Sequence, residues 1–114
     1  MTHPTSFTFT VPGPLYAYRR LRDHGGYRQY ALFKIRVLAL AMQRGWRRME
    51  TSKDQTRRID MTIHWKKGPR IDLSNVLKGI EDALFSQDRW ITCAVVQVYV
   101  NQPEEQVEVT ILGT

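Results

Sequence analysis

The chain has 114 residues, 42% hydrophobic and 25% charged, with 17 Lys+Arg against 11 Asp+Glu and a net charge of +6. This length and composition suit a single globular domain, 1–114, with a modest core, and the lone cysteine, Cys93, excludes an internal disulfide framework. No apolar run reaches spanning length and Met1-Thr2-His3-Pro4 lacks a signal-peptide pattern, so a cytoplasmic protein without a membrane segment is expected.

The positive charge is unevenly placed. Arg19, Arg20, Arg22, Arg28, Lys34, Arg36, Arg44, Arg47, Arg48, Lys53, Arg57 and Arg58 crowd the first half, while the last fourteen residues carry only the acids Glu104, Glu105 and Glu108. One basic and one acidic surface follow, and a polyanionic partner, nucleic acid above all, is the expectation. The preference for arginine suits bidentate phosphate contacts.

Ser6 to Val11 alternates, with Phe7, Phe9 and Val11 on one side and Thr8 and Thr10 on the other, as in a half-buried strand ended by Pro12-Gly13-Pro14. Leu15 to Gly26 has no clear period and mixes Tyr16, Tyr18, Arg19, Arg20, Arg22 and His24. It reads either as a basic loop holding backbone phosphates and stacking on unpaired bases, or as a surface loop packed on the body. Tyr27 to Gln43 reads as a helix: Tyr30, Phe33, Val37, Leu40 and Ala41 make one stripe, and Ile35, Leu38 and Met42 widen it towards burial on more than one side. Gly45 stops it, and Trp46-Arg47-Arg48 beyond reads either as a DNA contact or, the favoured reading, as a tryptophan anchoring the helix end. Thr51 to Gln55 is a polar loop.

Arg57 to Lys67 alternates again, with Ile59, Met61, Ile63 and Trp65 inward. His64 falls on the outer face, and no second His or Cys stands at zinc-ligand spacing. Ile91 to Val100, rich in Val and aromatics, reads as a buried strand, and Gln106 to Leu112 as the last strand of a closing hairpin after the turn Asn101-Gln102-Pro103-Glu104. The order is β-α-β-α-β-β. An α+β or mixed α/β fold follows, with about four strands in a small sheet and two helices on one face.

Between the second and third strands lies the most informative stretch, Lys66 to Leu84. Gly68 and Pro69 make a basic turn, and Asp72 or Ser74 can cap a helix whose apolar side is Leu73, Val76, Leu77, Ile80 and Leu84. Asn75, Lys78 and Asp82, at i, i+3 and i+7, share the opposite side. This is either a capped amphipathic helix with a solvated face, or a phosphate-holding loop followed by a face that handles a metal ion or a strained phosphodiester.

The run Arg70-x-Asp72-Leu73-Ser74-Asn75-x-x-Lys78-x-x-x-Asp82-Ala83-Leu84, with Trp90-Ile91 beyond, resembles the signature of the RusA family of Holliday-junction resolvases: Arg-Asp-x-Asp-Asn-x-x-Lys, then Asp-Ala-Leu, then paired aspartates. The order of elements is similar over nearly the whole chain, including the Arg/Tyr-rich loop after the first strand. The resemblance implies a homodimeric, Mg²⁺-dependent endonuclease (Mn²⁺ serving as well) acting on four-way DNA junctions in recombination and repair, and a phage or prophage origin. It assigns Asp72 as a metal ligand, Lys78 as the cation steadying the scissile phosphate, Asp82 as the acid of the Asp-Ala-Leu run, and Asn75, Lys67, Arg70, Arg19, Arg20 and Arg22 to the DNA.

Two departures stand out. Ser74 occupies the usual place of the second carboxylate, and Thr92-Cys93 that of the paired aspartates. A thiol is a soft ligand, ill-suited to Mg²⁺. Asp82 is the acid expected to compensate, with Asp88 a further candidate and Glu81 directed elsewhere. Two readings therefore stand: a junction endonuclease with a weakened site, or a resolvase-like fold kept as a nucleic-acid- or protein-binding module.

Overall fold

The computed structural model describes residues 6–16, 24–47, 54, 56–69, 71–86 and 89–113. In chain order the elements are β1 (Ser6–Pro12), α1 (His24–Gln43), β2 (Arg57–His64), α2 (Leu73–Leu84), β3 (Ile91–Tyr99) and β4 (Gln106–Gly113). The four strands form one mixed sheet in the order β1-β4-β2-β3. β4 runs antiparallel to both β1 and β2, and β3 runs parallel to β2. This is the α+β order expected from the sequence.

Period-two alternation sets the sheet's two faces. Phe9, Val11, Ile59, Met61, Ile63, Val107, Val109 and Ile111 are buried and meet Phe33, Val37, Ala41, Val76, Ile80 and Leu84 from the helices. The other face is polar: Thr8 bonds Thr110 at 3.1 Å, and Arg58 bonds Asp60 at 2.6 Å. His64 lies there, stacked on Tyr99 with ring centroids 5.1 Å apart, its Nε2 3.5 Å from Glu108.

α1 begins at His24, three residues earlier than the apolar stripe suggested, so the end of the expected loop is helical. At the loop's start Leu15 is buried and Tyr16 packs edge-on against Phe33, while residues 17–23, including Arg19, Arg20 and Arg22, lie outside the described residues, as does nearly all of Thr51 to Gln55. At its far end Gly45 takes φ +97°, a left-handed conformation that glycine adopts without strain, and Trp46 N–H returns to the Ala41 carbonyl. Trp46 is buried against Phe7 and Phe85 and donates from Nε1 to the Leu84 carbonyl at 3.2 Å. The tryptophan thus ties the end of α1 to the end of α2.

The third and fourth strands depart from expectation. They do not form a hairpin: β4 is inserted between β1 and β2, leaving β3 at the sheet edge. Parallel neighbours need a crossover, and α2 is the crossover joining β2 to β3. β3 is consequently not buried on both faces. Val96 stands at a register shift opposite Met61/Thr62 and is 50% exposed, and Tyr99 is 44% exposed. Valine-rich composition records a fit to a pleated strand, and it does not distinguish a central strand from an edge.

Close packing of the helices depends on Gly79. A Cβ there would lie 3.3 Å from Cε1 of Tyr30, tighter than ordinary contact. The missing side chain lets the Tyr30 ring rest against α2. No helix among the described residues is long and apolar enough to cross a membrane.

Candidate functional site

α2 carries the site residues, and its start is fixed by Asp72. That residue has extended backbone (φ −61°, ψ 131°) and its Oδ1 accepts from the Ser74 N–H at 3.1 Å and the Ser74 hydroxyl at 3.0 Å. Of the two capping residues the sequence allowed, Asp72 is the cap, so this exposed carboxylate is partly committed to the helix end. Ser74 is also exposed, and Asn75 donates its backbone N–H to the Asp72 carbonyl.

Lys78 follows six residues on, about 9 Å along the axis at 1.5 Å per residue. Its ammonium lies 3.2 Å from Asp82 Oδ1, and the Asp82 Oδ2 accepts from the Tyr30 hydroxyl at 2.8 Å. Lys78 and Asp82 are 40% and 26% exposed at their side chains, so the pair sits at the rim of the α1–α2 contact. Asp82 is therefore turned towards α1, bridging Tyr30 and Lys78.

The acid that meets β3 is Glu81. The Cys93 thiol donates to Glu81 Oε2 at 2.9 Å. Burial first, then the hydrogen bond and negative charge of Glu81, push the thiol far above its ordinary range, with the Lys78 charge opposing. Cys93 is thus a neutral thiol at physiological pH. The expectation that Asp82 compensates at this position is corrected by this geometry: adjacent helical residues diverge, and it is Glu81 that points at the strand.

Lys66 and Lys67 are exposed on the turn before α2. They line a cavity of about 670 Å³ together with Gly13, Gly68, Glu104 and Glu105. Arg70, like Asp88, lies outside the described residues. Of the expected site residues, Asp72, Ser74, Asn75, Lys78 and Asp82 share one helix, and Cys93 faces that helix from β3 through Glu81.

Tyr30 and Glu81 are the residues sequence reasoning missed. Tyr30 sat in the core stripe, and nothing in a sequence distinguishes a buried tyrosine whose hydroxyl reaches a carboxylate. Glu81 had a signal: Ser74, Lys78 and Glu81 at i, i+4 and i+7 define a side of the helix distinct from that of Asn75 and Asp82, and Lys78 belongs to both.

The donors do not by themselves fit a hard divalent ion. Among the described residues no group of three or more His, Cys, Asp or Glu side chains could hold a metal. The carboxylates are separately occupied, Asp72 by the cap, Asp82 by Lys78 and Tyr30, and Glu81 by a thiol that contributes no charge. No protein-family model matches the chain, and no curated protein matches it.

Proposed function

We propose that the chain is a junction-resolving protein of the RusA type, which binds four-way DNA junctions as a homodimer and belongs to a reaction class that hydrolyses phosphodiesters with Mg²⁺ or Mn²⁺. The observation that carries this reading is a crossover helix that opens from a Lys66-Lys67 turn with the exposed Asp72 at its cap and carries the part-exposed Lys78 ammonium paired to Asp82, in a chain of net charge +6. The turn lysines hold backbone phosphate. Lys78, kept in place by Asp82, presents an ammonium to a phosphate oxygen.

Self-association has support on the far side of α1. Leu32, Ile35 and Met42 are 57%, 65% and 56% exposed, and they point away from the buried Tyr30, Phe33 and Val37. With Ala39 they follow a 3-4-3 spacing, the pattern of a helix–helix seam. A two-fold dimer suits a four-way junction, giving one site per arm pair.

A second reading, binding without cutting, is favoured by one contact: the protonated Cys93 thiol at Glu81, where a hydrolytic site of this type needs negative charge. The two readings separate in one experiment. Purified protein is incubated with a synthetic four-way junction and with linear duplex, in EDTA and then in Mg²⁺ or Mn²⁺. Binding that prefers the junction and weakens steeply with salt supports the shared core of both readings. Nicks that appear only with cation support the endonuclease, and none at any protein concentration leaves the binding module.

A further inference from the structure

Resting on that reading for its functional meaning, we infer that Tyr30 is a positioning residue for Lys78, acting through Asp82. Tyr30 is 1% exposed, and its hydroxyl donates to Oδ2 of the part-exposed Asp82 at 2.8 Å. The other oxygen of the same carboxylate, Oδ1, meets the Lys78 ammonium at 3.2 Å. The terminal torsion of an aspartate is broad and weakly restrained by itself. Fixing Oδ2 fixes the plane of the carboxylate, and so the direction from which Oδ1 draws the lysine.

The phenol is itself well placed to act as a fixed point. Its ring rests against Gly79, where a Cβ would come within 3.3 Å, and Lys34 Nζ lies 4.8 Å from its centroid. The chain of contacts therefore runs from a buried ring on α1 to a half-exposed cation on α2. A free lysine side chain has several rotatable bonds, and ordering them on contact with phosphate costs affinity. Holding the ammonium beforehand removes part of that cost. Tyr30 thus sets where the cation stands, while a tyrosine serving only to satisfy its own hydroxyl would affect stability alone.

The test is a double-mutant cycle on four-way-junction binding in EDTA, using wild type, Tyr30→Phe, Lys78→Ala and the double variant, each with a urea melt. Tyr30→Phe is expected to weaken binding about fivefold when Lys78 is present and to have almost no effect when Lys78 is alanine. Equal losses in both backgrounds, or no loss in either, overturn the inference. If Lys78→Ala leaves junction affinity unchanged, the proposed function fails instead, and the inference is judged by nuclear magnetic resonance relaxation of the Lys78 side chain. Its order parameter is expected to fall in Tyr30→Phe, and an unchanged value overturns the positioning role. Should Tyr30→Phe not fold, Asp82→Asn carries the same cycle, with the same expected dependence on Lys78.

Discussion

Replacing Cys93 by Asp adds a negative charge at the α2–β3 contact, directly opposite Glu81. The thiol lies 2.9 Å from Glu81 Oε2, so Cys93→Asp sets two carboxylates face to face in a half-buried position. Two like charges about 4 Å apart repel by about 4 kcal/mol at an effective dielectric near 20. Partial exposure and the neighbouring Lys78 ammonium reduce this, leaving an expected loss of about 1–3 kcal/mol in EDTA at pH 7. At about 4 °C per kcal/mol for a domain of this size, the melting temperature should fall by about 4–12 °C. The deficit should shrink as pH falls towards about 4, because one carboxyl of such a pair has a raised pKa and its protonation relieves the repulsion. A hard divalent cation should also relieve it: a concentration about ten times the dissociation constant returns about 1.4 kcal/mol. Circular dichroism melts of wild type and variant, in EDTA and in Mg²⁺ or Mn²⁺, measure all three effects. Wild type is expected to ignore both cations. A variant as stable as wild type in EDTA and indifferent to cations would refute the placement of Cys93 against Glu81.

Other outcomes follow from single contacts. Asp72→Ala removes the cap of α2 and should cost about 1 kcal/mol in urea unfolding, with Asp72→Asn costing less because an amide oxygen still accepts from Ser74. Gly79→Ala gains about 1 kcal/mol of helix propensity but drives a methyl against the Tyr30 ring, so the net change should be a loss of about 1 kcal/mol. The folded-state pKa of the Cys93 thiol is raised, so its stabilising contribution is full below the thiol's ordinary value of 9.0 and is lost as pH rises above it. Cys93→Ser should lack that alkaline loss in pH-dependent melts. Ile35→Asp on the exposed side of α1 should convert a dimer to a monomer in light scattering without lowering monomer stability, since Ile35 is 65% exposed.

The sequence carried the fold's order well because each element announces itself locally. Alternation in Phe7-Phe9-Val11, Ile59-Met61-Ile63 and Val107-Val109-Ile111 marks three strands, and the polar cluster Asp72-x-Ser74 marks the start of α2. The breadth of the apolar surface on α1 pointed to burial on more than one side, but only the side of Tyr30, Phe33, Val37 and Ala41 is buried, and Leu32, Ile35 and Met42 are exposed. Strand pairing did not show, because insertion of β4 between β1 and β2 depends on contacts far apart in the chain. The edge position of β3 was hidden for the same reason. Within the site, helical spacing put Lys78 and Asp82 on one side, and they pair at 3.2 Å. It could not say which side faces α1 and which faces β3, and that orientation alone decides that Asp82 meets Tyr30 while Glu81 meets Cys93.

A titration of four-way junction against linear duplex of the same length, in EDTA and at two salt concentrations, addresses the central claim most directly. Tighter binding to the junction is expected, with a steep fall with salt and a loss for Lys78→Ala that is larger on the junction than on the duplex. Equal affinity for both DNAs, together with an unchanged Lys78→Ala variant, would contradict it.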